Sequence, residues 1–287
     1  MTQEKNNTDS NSNHALSILI NRSGLSFLIS DTNRNDVISI KSHDFVDHSH
    51  EEELHHFIYK YLAEQEVIGQ SFLDVRVCVV NNLSSFVPLS LFDKNKKATY
   101  LESHADVRNQ DYISFDSLAS AQVANVYIPY VNVNNMLLES FGKFSYVHCS
   151  SLLLEVIHKQ DIDKNEPYWF VHVQYDLAYF FVMKKGKLYF YNAFQWKNEK
   201  DLLYYTMAVA KNNAIELNKA TLWLSGLVRP GDEIHQLLSN YVYKTSFFIP
   251  SKDLHFSSSK PLHPHIHTLL LELPSPRRIG SWTWSPM

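Results

Sequence analysis

Glycine and cysteine are scarce in this sequence, and each scarcity excludes a class of site. Seven of the 287 residues are glycine, and the chain contains no Gly-x-Gly, so neither a P-loop nor a dinucleotide-binding fingerprint can be placed on it. The two cysteines, Cys78 and Cys149, lie in or beside apolar strand-like runs, where a free thiol usually acts as a small core residue. No disulfide framework is implied, and a reducing compartment fits.

Long apolar runs and an excess of positive charge are also absent. No apolar stretch approaches the roughly 20 residues that a membrane helix needs, and residues 1–14 are polar, without the apolar core of a signal peptide. We therefore expect a cytoplasmic protein with no membrane span. The formal net charge is −4, with the two signs interspersed, so no nucleic-acid partner is expected.

The first half of the chain has the pattern of an α/β domain. Apolar residues make up 45% and charged residues 20% of the sequence, which is the balance of a globular protein, and the length allows two domains. Apolar stretches on both sides of residues 21–24 are typical of a β-hairpin. Helical spacing of apolar residues predicts a helix further on, with Ser49 as its N-cap. The predicted elements are a hairpin over 15–31, a strand over 36–45, a helix over 50–67 and a strand over 74–80.

The middle of the chain mixes short apolar and polar runs. We predict a loop around 94–97 and a helix around 117–123. Gly142 is placed to end the second of the helices that follow. The further predicted elements are a strand over 126–130, helices over 133–141 and 150–158, and a strand over 144–149 between them.

The second half begins in the same way as the first, after a charged segment at 161–167 that we take as a boundary. Asn198 is a possible helix cap. The predicted elements are one bent strand or two strands over 168–181, a turn at 184–186, strands over 187–194, 221–227 and 244–249, and helices over 201–215, 230–242 and 265–273.

The recurrence of these elements predicts an internal duplication. Ile18 and Val171 are 153 residues apart, and Val77 and Trp223 are 146 apart, so corresponding strands are separated by a nearly constant distance. A meander that feeds a helix and then a parallel strand also obeys the connection rules of a mixed sheet. The competing interpretation is ordinary α/β alternation without duplication.

Four segments carry a resemblance to a known family. They are ALSILINRSGLSFLIS near the start, VHVQYDLAYFFVMKKGKLYFYNAF at the second hairpin, LLYYTMAVAKNNAI and TLWLSGLV. Together they resemble DUF3822, a family of uncharacterised bacterial proteins found chiefly in Bacteroidota. The resemblance spans roughly Ala15 to Leu271 and consists of hydrophobic patterns, not catalytic strings. It implies an actin-like ATPase fold of class α/β, in which two ribonuclease-H-like lobes, each a mixed β-sheet flanked by helices, enclose a nucleotide cleft.

This resemblance, with the composition of the two ends, gives a domain prediction. We expect a disordered arm at 1–14, a first actin-like lobe at 15–160, a second lobe at 161–273 and an atypical tail at 274–287. The tail has three prolines, a double arginine and two of the five tryptophans. It is either a docking peptide or an end produced by read-through or frameshift, and we favour the second interpretation.

The resemblance also implies membership of the actin, heat-shock-protein-70 and sugar-kinase superfamily, and the nucleotide-binding residues of that superfamily's pattern are missing here. That pattern is Asp-x-Gly followed by Ser or Thr in each hairpin, where the backbone holds phosphate and the carboxylate holds hydrated Mg²⁺. Residues 18–24 contain no carboxylate, and the corresponding positions of the second hairpin fall near His172 and Gln174. On the side of the cleft that would hold adenosine, the superfamily pattern is a strand that runs into a Gly-Gly turn. Here the matching residues are Ser225 and Gly226, so one of the two glycines remains.

We therefore expect a non-catalytic cytosolic scaffold or adaptor, a pseudo-ATPase that binds an unknown protein or a ligand with no cofactor and no metal. The alternative is an ATP-binding enzyme or switch in which unusual residues hold Mg-ATP. Asp176 is the one carboxylate that favours the alternative, although a solvated turn residue is its simpler interpretation. The candidate cleft residues are Asn21, Ser23, Asp176, Ser225 and Gly226.

Histidines and a His-Cys pair complete the candidates. His55 follows His50 by five residues, so the His-Glu-x-x-His zinc pattern fails by one, and we expect a solvated surface at the first of two histidine groups. The second group alternates around Pro264 and could chelate a metal only if the segment were extended. Cys149 follows His148 directly, and since neighbours on a strand point to opposite faces, we expect no catalytic dyad there. The two groups are His43, His48, His50, His55 and His56, and His263, His265 and His267.

Overall fold

A computed structural model describes residues 13–45, 53–102, 107, 111–160, 162–163, 167–250, 254–257, 261–273 and 282–283. The strands in these residues are β1 (His14–Asn21), β2 (Gly24–Asp31), β3 (Asp36–Asp44), β4 (Asp74–Val79), β5 (Ser84–Pro88), β6 (Ser114–Leu118), β7 (Val123–Tyr127), β8 (Ser145–His148), β9 (Tyr168–Val173), β10 (Leu177–Lys184), β11 (Lys187–Gln195), β12 (Thr221–Gly226), β13 (Lys244–Phe247), β14 (His255–Phe256) and β15 (Trp282–Thr283). The α-helices are α1 (Leu54–Glu64), α2 (Val131–Phe141), α3 (Cys149–Lys159), α4 (Glu199–Asn212), α5 (Glu233–Ser239) and α6 (Thr268–Glu272).

Two mixed sheets share one strand order. The seven-stranded sheet contains the run β3-β2-β1-β4-β8, and the five-stranded sheet has the order β11-β10-β9-β12-β13. In both runs the first three strands are antiparallel to their neighbours, and the last three are parallel. The repeated order confirms the predicted duplication and the α/β fold class of two ribonuclease-H-like sheets.

The strand register corrects one detail of the predicted repeat. Ile18 pairs with Val77 in the first sheet, and Val171 pairs with Leu224 in the second. The counterpart of Val77 is therefore Leu224, one residue after the predicted Trp223. Successive residues of a strand point to opposite faces, and Trp223 accordingly packs on the inner side of its sheet while Leu224 lies in the outer core.

Helices cover both outer faces, and two more lie between the sheets. The core between the first sheet and α1 and α2 includes Ile18, Val77, Ile58 and Leu137. The core between the second sheet and α4 and α5 includes Val171, Leu224, Leu202 and Leu238. The inner faces of both sheets share a third core with α3 and α6, which includes Leu19, Cys78, Leu153, Phe181 and Leu270. The sheets are therefore joined through one continuous apolar layer.

Helix α6 belongs to this layer and not to the outside of the second sheet. It follows the 3₁₀ turn Pro264–His267 and contacts α3, β1 and β2. The predicted helix over 265–273 therefore exists as two short pieces, of which the 3₁₀ turn contacts β12 of the second sheet and α6 contacts the first sheet. The boundary predicted at 161–167 stays a prediction, and residues 161 and 164–166 lie outside the described part of the chain.

Helix ends agree with the sequence where a capping residue is present. The Asn198 side chain accepts hydrogen bonds from the backbone N–H groups of Lys200 and Asp201, which satisfies donors that the first turn of α4 leaves free. Gly142 ends α2 with a φ of 71°, as a residue just past a helix often does. Ser49, the predicted cap of the first helix, lies outside the described residues, and α1 begins at Leu54.

The prediction of a helix around 117–123 is wrong. This segment forms the hairpin β6–β7, in which Leu118 pairs with Val123, and Gln122 occupies the left-handed turn conformation with a φ of 56°. Ser114, Asp116 and Leu118 are buried while the residues between them are half-exposed, which is the period of two that a strand requires. The buried polar members of that series hide the alternation from a hydrophobicity pattern. With β5, this hairpin forms a three-stranded sheet of order β5-β7-β6.

Small parts of the predicted arm and tail lie in the first sheet. β1 begins at His14, one residue before the predicted start of the first lobe. Trp282 and Thr283 pair with Tyr146 and Ser145, so β15 covers the outer edge of β8. The remainder of both segments, 1–12, 274–281 and 284–287, lies outside the described residues.

Replacing Gly226 by alanine is expected to lower the free energy of unfolding by about 2–5 kcal/mol. Its φ is +80°, and a Cβ there would lie 2.0 Å from the carbonyl oxygen of Val173, so backbone strain and a steric clash add. Gly231→Ala is the matched control, because Gly231 has a φ of +82° and nothing within 4 Å of its Cβ position. Urea unfolding of both variants measures the difference, and equal losses would show that the clash is relieved.

Candidate functional site

The carboxyl ends of the parallel strands β1, β4 and β8 meet along one edge of the seven-stranded sheet. Edges of this kind are where open α/β sheets bind ligands. Asn21 ends β1, Asn81 follows β4 and His148 ends β8, and all three side chains are buried. We call this the first edge. The corresponding second edge, at the ends of β9 and β12, carries His172, Gln174 and Ser225.

A hydrogen-bond network fixes His148 at the first edge. Its Nδ1 lies 2.7 Å from the hydroxyl of Ser150 and 3.2 Å from the backbone nitrogen of Ser150, and its Nε2 lies 3.2 Å from Oδ1 of Asn81. Because a backbone N–H can only donate, Nδ1 is the acceptor. The neutral ring therefore carries its proton on Nε2 and donates it to Asn81. The hydrogen bond from the backbone N–H of Ser150 to Nδ1 also caps the N-terminus of α3.

Asp116 of β6 joins the three-stranded sheet to this network. One of its carboxylate oxygens accepts from the backbone N–H of His148 at 3.0 Å, and the other accepts from the hydroxyl of Tyr127 at 3.0 Å. The hydroxyl of Ser151 is a third donor. The carboxylate is fully buried, and it is held at the start of α3 by three donors.

Asn125 of β7 connects the two serines of α3. Its Nδ2 donates to the hydroxyls of Ser150 and Ser151 at 2.9 and 2.8 Å. Each serine is then free to donate its own proton, to His148 and Asp116 respectively. The carbonyl oxygen of Asn125 is buried without a hydrogen-bond partner, which is rare and costly in a protein interior.

Tyrosines of the second sheet contact the first edge directly. The buried hydroxyl of Tyr179 donates to the carbonyl oxygen of Asn81 at 2.9 Å. The hydroxyl of Tyr191 lies 2.8 Å from that of Ser84, at the start of β5. Phe86 packs its ring edge against Tyr191, with ring centroids 4.7 Å apart. Side chains of β10 and β11 therefore occupy the space beside the end of β4.

The two hairpin turns also meet. Tyr175, between β9 and β10, is half-buried and bonds to the carboxylate of Asp44. Asp44 ends β3 and pairs with Gly24 of the first hairpin. Burial, together with this acceptor, raises the pKa of Tyr175, so the phenol stays protonated and donates.

Burial sets the charges at the first edge. It lowers the pKa of His148 to about 3, so the ring is neutral at physiological pH. It raises the pKa of Asp116 to about 7, against the opposing effect of the hydrogen bonds from Ser151, His148 and Tyr127. His148 and Ser150 have the separation of a base and a nucleophile, but both are fully buried. In this geometry His148 caps the start of α3.

The position of Cys149 differs from the prediction. β8 ends at His148, and Cys149 is the first residue of α3, so the alternation of side chains along a strand does not apply to this pair. Both residues are fully buried. Burial raises the pKa of the Cys149 thiol, which makes it a poor nucleophile.

The second edge is closed by a smaller set of bonds. His172 lies 2.6 Å from the hydroxyl of Ser225 through Nδ1, and its Nε2 lies 2.9 Å from the amide nitrogen of Gln174. Since that amide nitrogen can only donate, His172 carries its proton on Nδ1, opposite to His148. Burial lowers the pKa of His172 to about 3. Trp196 donates from its indole to the carbonyl oxygen of Gln174 at 3.1 Å.

The structure places the candidate cleft residues in three different settings. Asn21 accepts from the backbone N–H of Ser23 at 2.7 Å within its own turn. Ser225 is buried against His172, and Gly226 allows the close approach of Val173. Asp176 is exposed, and its backbone carbonyl accepts from Trp196. The turns that hold Asn21 and Asp176 are joined through Asp44 and Tyr175. A nucleotide-binding role for these residues stays a prediction.

Sequence reasoning missed the central residues of the first edge. Three of these residues are polar and lie next to or within strands, so a hydrophobic pattern does not detect those strand positions: Asn81, Asp116 and Asn125. Tyr179 has the pattern of an ordinary aromatic residue of a strand. The available signal was the run His148-Cys149-Ser150-Ser151, since a polar residue that ends a buried strand and precedes two serines is a typical helix start.

The histidine groups form no metal cluster in the part of the chain that the structure describes. His55 and His56 line a groove of about 390 Å³ between α1 and α2, with their rings 3.9 Å apart. His265 lies in the 3₁₀ turn Pro264–His267 and not in an extended segment, and it is buried and bonds to the carbonyl oxygen of Val228 at 2.8 Å. His48 and His50 lie outside the described residues.

The family follows from comparison with known sequences. Residues 3–244 match the model of a family described as "Protein of unknown function (DUF3822)". The chain belongs to the DUF3822 family. This membership confirms the resemblance seen in the sequence. No protein with curated annotation matches the chain.

Solved structures similar to this DUF3822 protein share its fold. One is a Bacteroides thetaiotaomicron VPI-5482 protein with an actin-like ATPase fold and unknown function, which is 18% identical with a TM-score of 0.75 over 84% of this chain and 93% of that chain. Another is the PilM-PilN type IV pilus biogenesis complex, 11% identical with a TM-score of 0.61 over 90% of this chain and 97% of that chain. These similarities confirm the actin-like fold. None of the described helices is long and apolar enough to cross a membrane.

Tyr179→Phe is expected to lower the free energy of unfolding by about 1–3 kcal/mol, because the buried carbonyl of Asn81 loses its donor. Tyr204→Phe is the matched control, since the Tyr204 side chain is exposed on α4. Chemical denaturation measures both variants. An equal free energy of unfolding for Tyr179→Phe and Tyr204→Phe would contradict a stabilising hydrogen bond from Tyr179 to Asn81.

Acidification is expected to destabilise the protein below about pH 6.5. His148 and His172 have folded pKa values near 3 and an unfolded value near 6.5, so the stability they contribute is complete above pH 6.5 and lost as pH falls towards 3. Asp116, raised to about 7, acts in the opposite direction between about pH 4 and 7. The net uptake of about one proton on unfolding gives a loss of about 1.4 kcal/mol per pH unit.

The Asp116→Asn variant separates these contributions. Removing the opposing carboxyl leaves two histidines, so the slope between pH 6.5 and 5 should about double. Urea unfolding of both proteins across this range measures the slopes. Parallel slopes would mean that Asp116 does not titrate there.

Proposed function

We propose that this DUF3822 protein is a non-catalytic member of the actin-like fold, a pseudo-ATPase that acts as a scaffold or adaptor for another protein. The observation that carries the proposal is the contact of Tyr179 with the carbonyl of Asn81 at the first edge. A ligand at the ends of these strands would have to displace side chains that are buried and hydrogen-bonded.

The first hairpin supports this proposal through its own turn. Transfer of a phosphoryl group requires a positioned metal ion and phosphate donors. The polar side chain that ends β1 is the amide of Asn21, and it accepts from Ser23 inside the turn. An amide engaged in this way replaces the carboxylate that would hold hydrated Mg²⁺.

The second edge also supports the pseudo-ATPase proposal, because its polar side chains bond to one another. His172 and Gln174 stand near the positions where the superfamily pattern has Asp and Gly, and they bond to one another and to Ser225. Gly226 is required for the approach of its backbone to Val173, with the N–H of Leu227 bonded to the Val173 carbonyl at 2.7 Å. The surviving glycine therefore has a packing role that needs no nucleotide.

A protein partner is favoured by one of the structural relatives. The PilM structure that shares this fold is described as a complex of PilM with PilN, so the fold supports association with another polypeptide in that case. Affinity purification of the tagged chain from the cells that make it, with Gly226→Ala as a destabilised control, is expected to enrich one protein with the native form. Equal recovery of proteins with both forms would contradict a specific partner.

The second candidate function is an ATP-binding enzyme or switch. It is favoured by two carboxylates at the meeting point of the hairpin turns, since Tyr175 bonds to Asp44 and Asp176 follows Tyr175 in the chain. Carboxylates at such turns are the ligands that hydrated Mg²⁺ prefers. The two carboxylates come from different sheets, as a cleft between lobes requires.

Thermal unfolding with millimolar Mg-ATP separates the two candidates. The pseudo-ATPase proposal expects an unchanged midpoint relative to Mg²⁺ alone. A nucleotide at 100 times its Kd would stabilise the fold by about 2.7 kcal/mol, which raises the midpoint by roughly 5–10 °C. Such a rise would contradict the proposal, and its loss in Asp44→Asn and Asp176→Asn would establish the second candidate.

A further inference from the structure

The outer edge of β8 carries a strand that comes from the atypical tail, residues 274–287. Trp282 and Thr283 pair antiparallel with Tyr146 and Ser145, and these two residues form the last strand of the seven-stranded sheet. An open sheet edge presents a row of unpaired backbone N–H and C=O groups, which makes it a template for another strand. The tail therefore uses the edge of β8 as such a template.

The duplicated sheet has the corresponding edge without this strand. β13 has the place in the second sheet that β8 has in the first, and no strand of the described residues pairs with its outer side. The family match also ends at residue 244, so β15 lies outside it. β15 is therefore an addition to the repeated fold and not one of the elements that the fold requires.

The connection to β15 is long compared with the distance that it spans. The carbonyl oxygen of Leu273, which follows α6, accepts from the guanidinium of Arg76 at 3.1 Å. Arg76 is paired with Ser145, and Ser145 with Thr283. Neighbouring strands lie about 4.8 Å apart, so about two strand spacings and the length of one arginine side chain separate Leu273 from β15. The eight intervening residues reach roughly 30 Å when extended, so β15 can leave the edge without moving α6.

Few backbone bonds hold β15 on the edge. Opposite residues of an antiparallel pair alternate between those that exchange two hydrogen bonds and those that exchange none, so two paired positions provide about two bonds. Pro286 follows Thr283 by three residues, and it has no N–H with which to extend the ladder. Two bonds of ordinary net strength correspond to a ratio of docked to released segment of about 5 to 150. The edge is therefore free in a measurable fraction of the molecules.

We propose that the outer edge of β8 is a docking site for an extended strand, and that the segment around Trp282 and Thr283 occupies it as an exchangeable strand of the same chain. The edge fits a strand that runs antiparallel to β8 and is held through its backbone. While it is docked, the segment prevents any other strand from pairing with β8. This assignment favours the docking-peptide interpretation of the tail. It goes beyond the proposed function, because it requires neither a partner protein nor the loss of nucleotide binding.

Binding of a peptide of residues 281–287 tests the site. The peptide, labelled at its N-terminus with fluorescein, is titrated with the full chain and with a chain that ends at Leu273, and fluorescence anisotropy gives the Kd of each. The truncated chain should bind the peptide. The full chain should bind it about 5 to 150 times more weakly, because its own segment competes for the edge. No binding to the truncated chain, or equal Kd values for the two chains, would overturn the proposal.

Hydrogen exchange identifies the edge that the peptide occupies. Truncation should speed exchange of a backbone N–H in β8, and the peptide should slow it again, since one of the paired positions donates to β15. β11 and β13 end the second sheet in the described part of both chains, so binding there would be the same for the two chains. Protection of β11 or β13 by the peptide without protection of β8 would contradict the site.

A double proline variant of the full chain gives an independent result, and it replaces the truncated chain if that chain fails to fold. Trp282→Pro with Thr283→Pro removes both donors of the segment, so this chain should bind the peptide more tightly than the native chain by the same factor of about 5 to 150. Arg277→Pro with Arg278→Pro is the matched control, because it adds two prolines outside the paired residues and should bind as weakly as the native chain. Equal binding by the two variants would refute an exchangeable strand at β8.

Discussion

The hydrogen bonds at Asn81 join the two sheets of this protein, and the rest of the first edge depends on them. Its side chain accepts from His148 of the first sheet, and its backbone carbonyl accepts from Tyr179 of the second. Buried polar groups are tolerated only when each finds a partner. Asn81 therefore links His148, which precedes α3, to β10 of the second sheet.

The two sheets also share an apolar core between their inner faces, in addition to the separate core on the outer face of each sheet. α3 and α6 pack between the inner faces of both sheets in a single apolar layer, so the sheets cannot separate without exposing it. The polar network lies at one end of that layer, where apolar packing gives way to strand ends. Apolar burial supplies the larger stabilisation, and the directional bonds select one arrangement of the sheets.

Much of the fold could be predicted from the sequence because hydrophobic periods report which face of an element is buried. The hairpins, the helix capped by Asn198 and the repeated order follow from such periods. The β6–β7 hairpin could not be predicted in this way, because its inward positions include Asp116 and Asn125. A hydrophobic pattern does not detect a period of two when polar residues occupy the buried positions. The candidate site is hidden for the same reason, since its contacts join segments about 100 residues apart, such as Asn81 and Tyr179.

The network also bears on nucleotide binding through its energy. A nucleotide at the strand ends would have to break the contacts of Tyr179 and Tyr191 and leave their partners unsatisfied, at about 1–3 kcal/mol for each buried group. Two such losses amount to about 2–6 kcal/mol, and 5.5 kcal/mol corresponds to a factor of about 10⁴ in affinity. A site with micromolar intrinsic affinity would then bind with a Kd between about 30 μM and about 30 mM. Two tyrosine hydroxyls at one sheet edge would therefore weaken a nucleotide at these strand ends without any change in the topology of the fold.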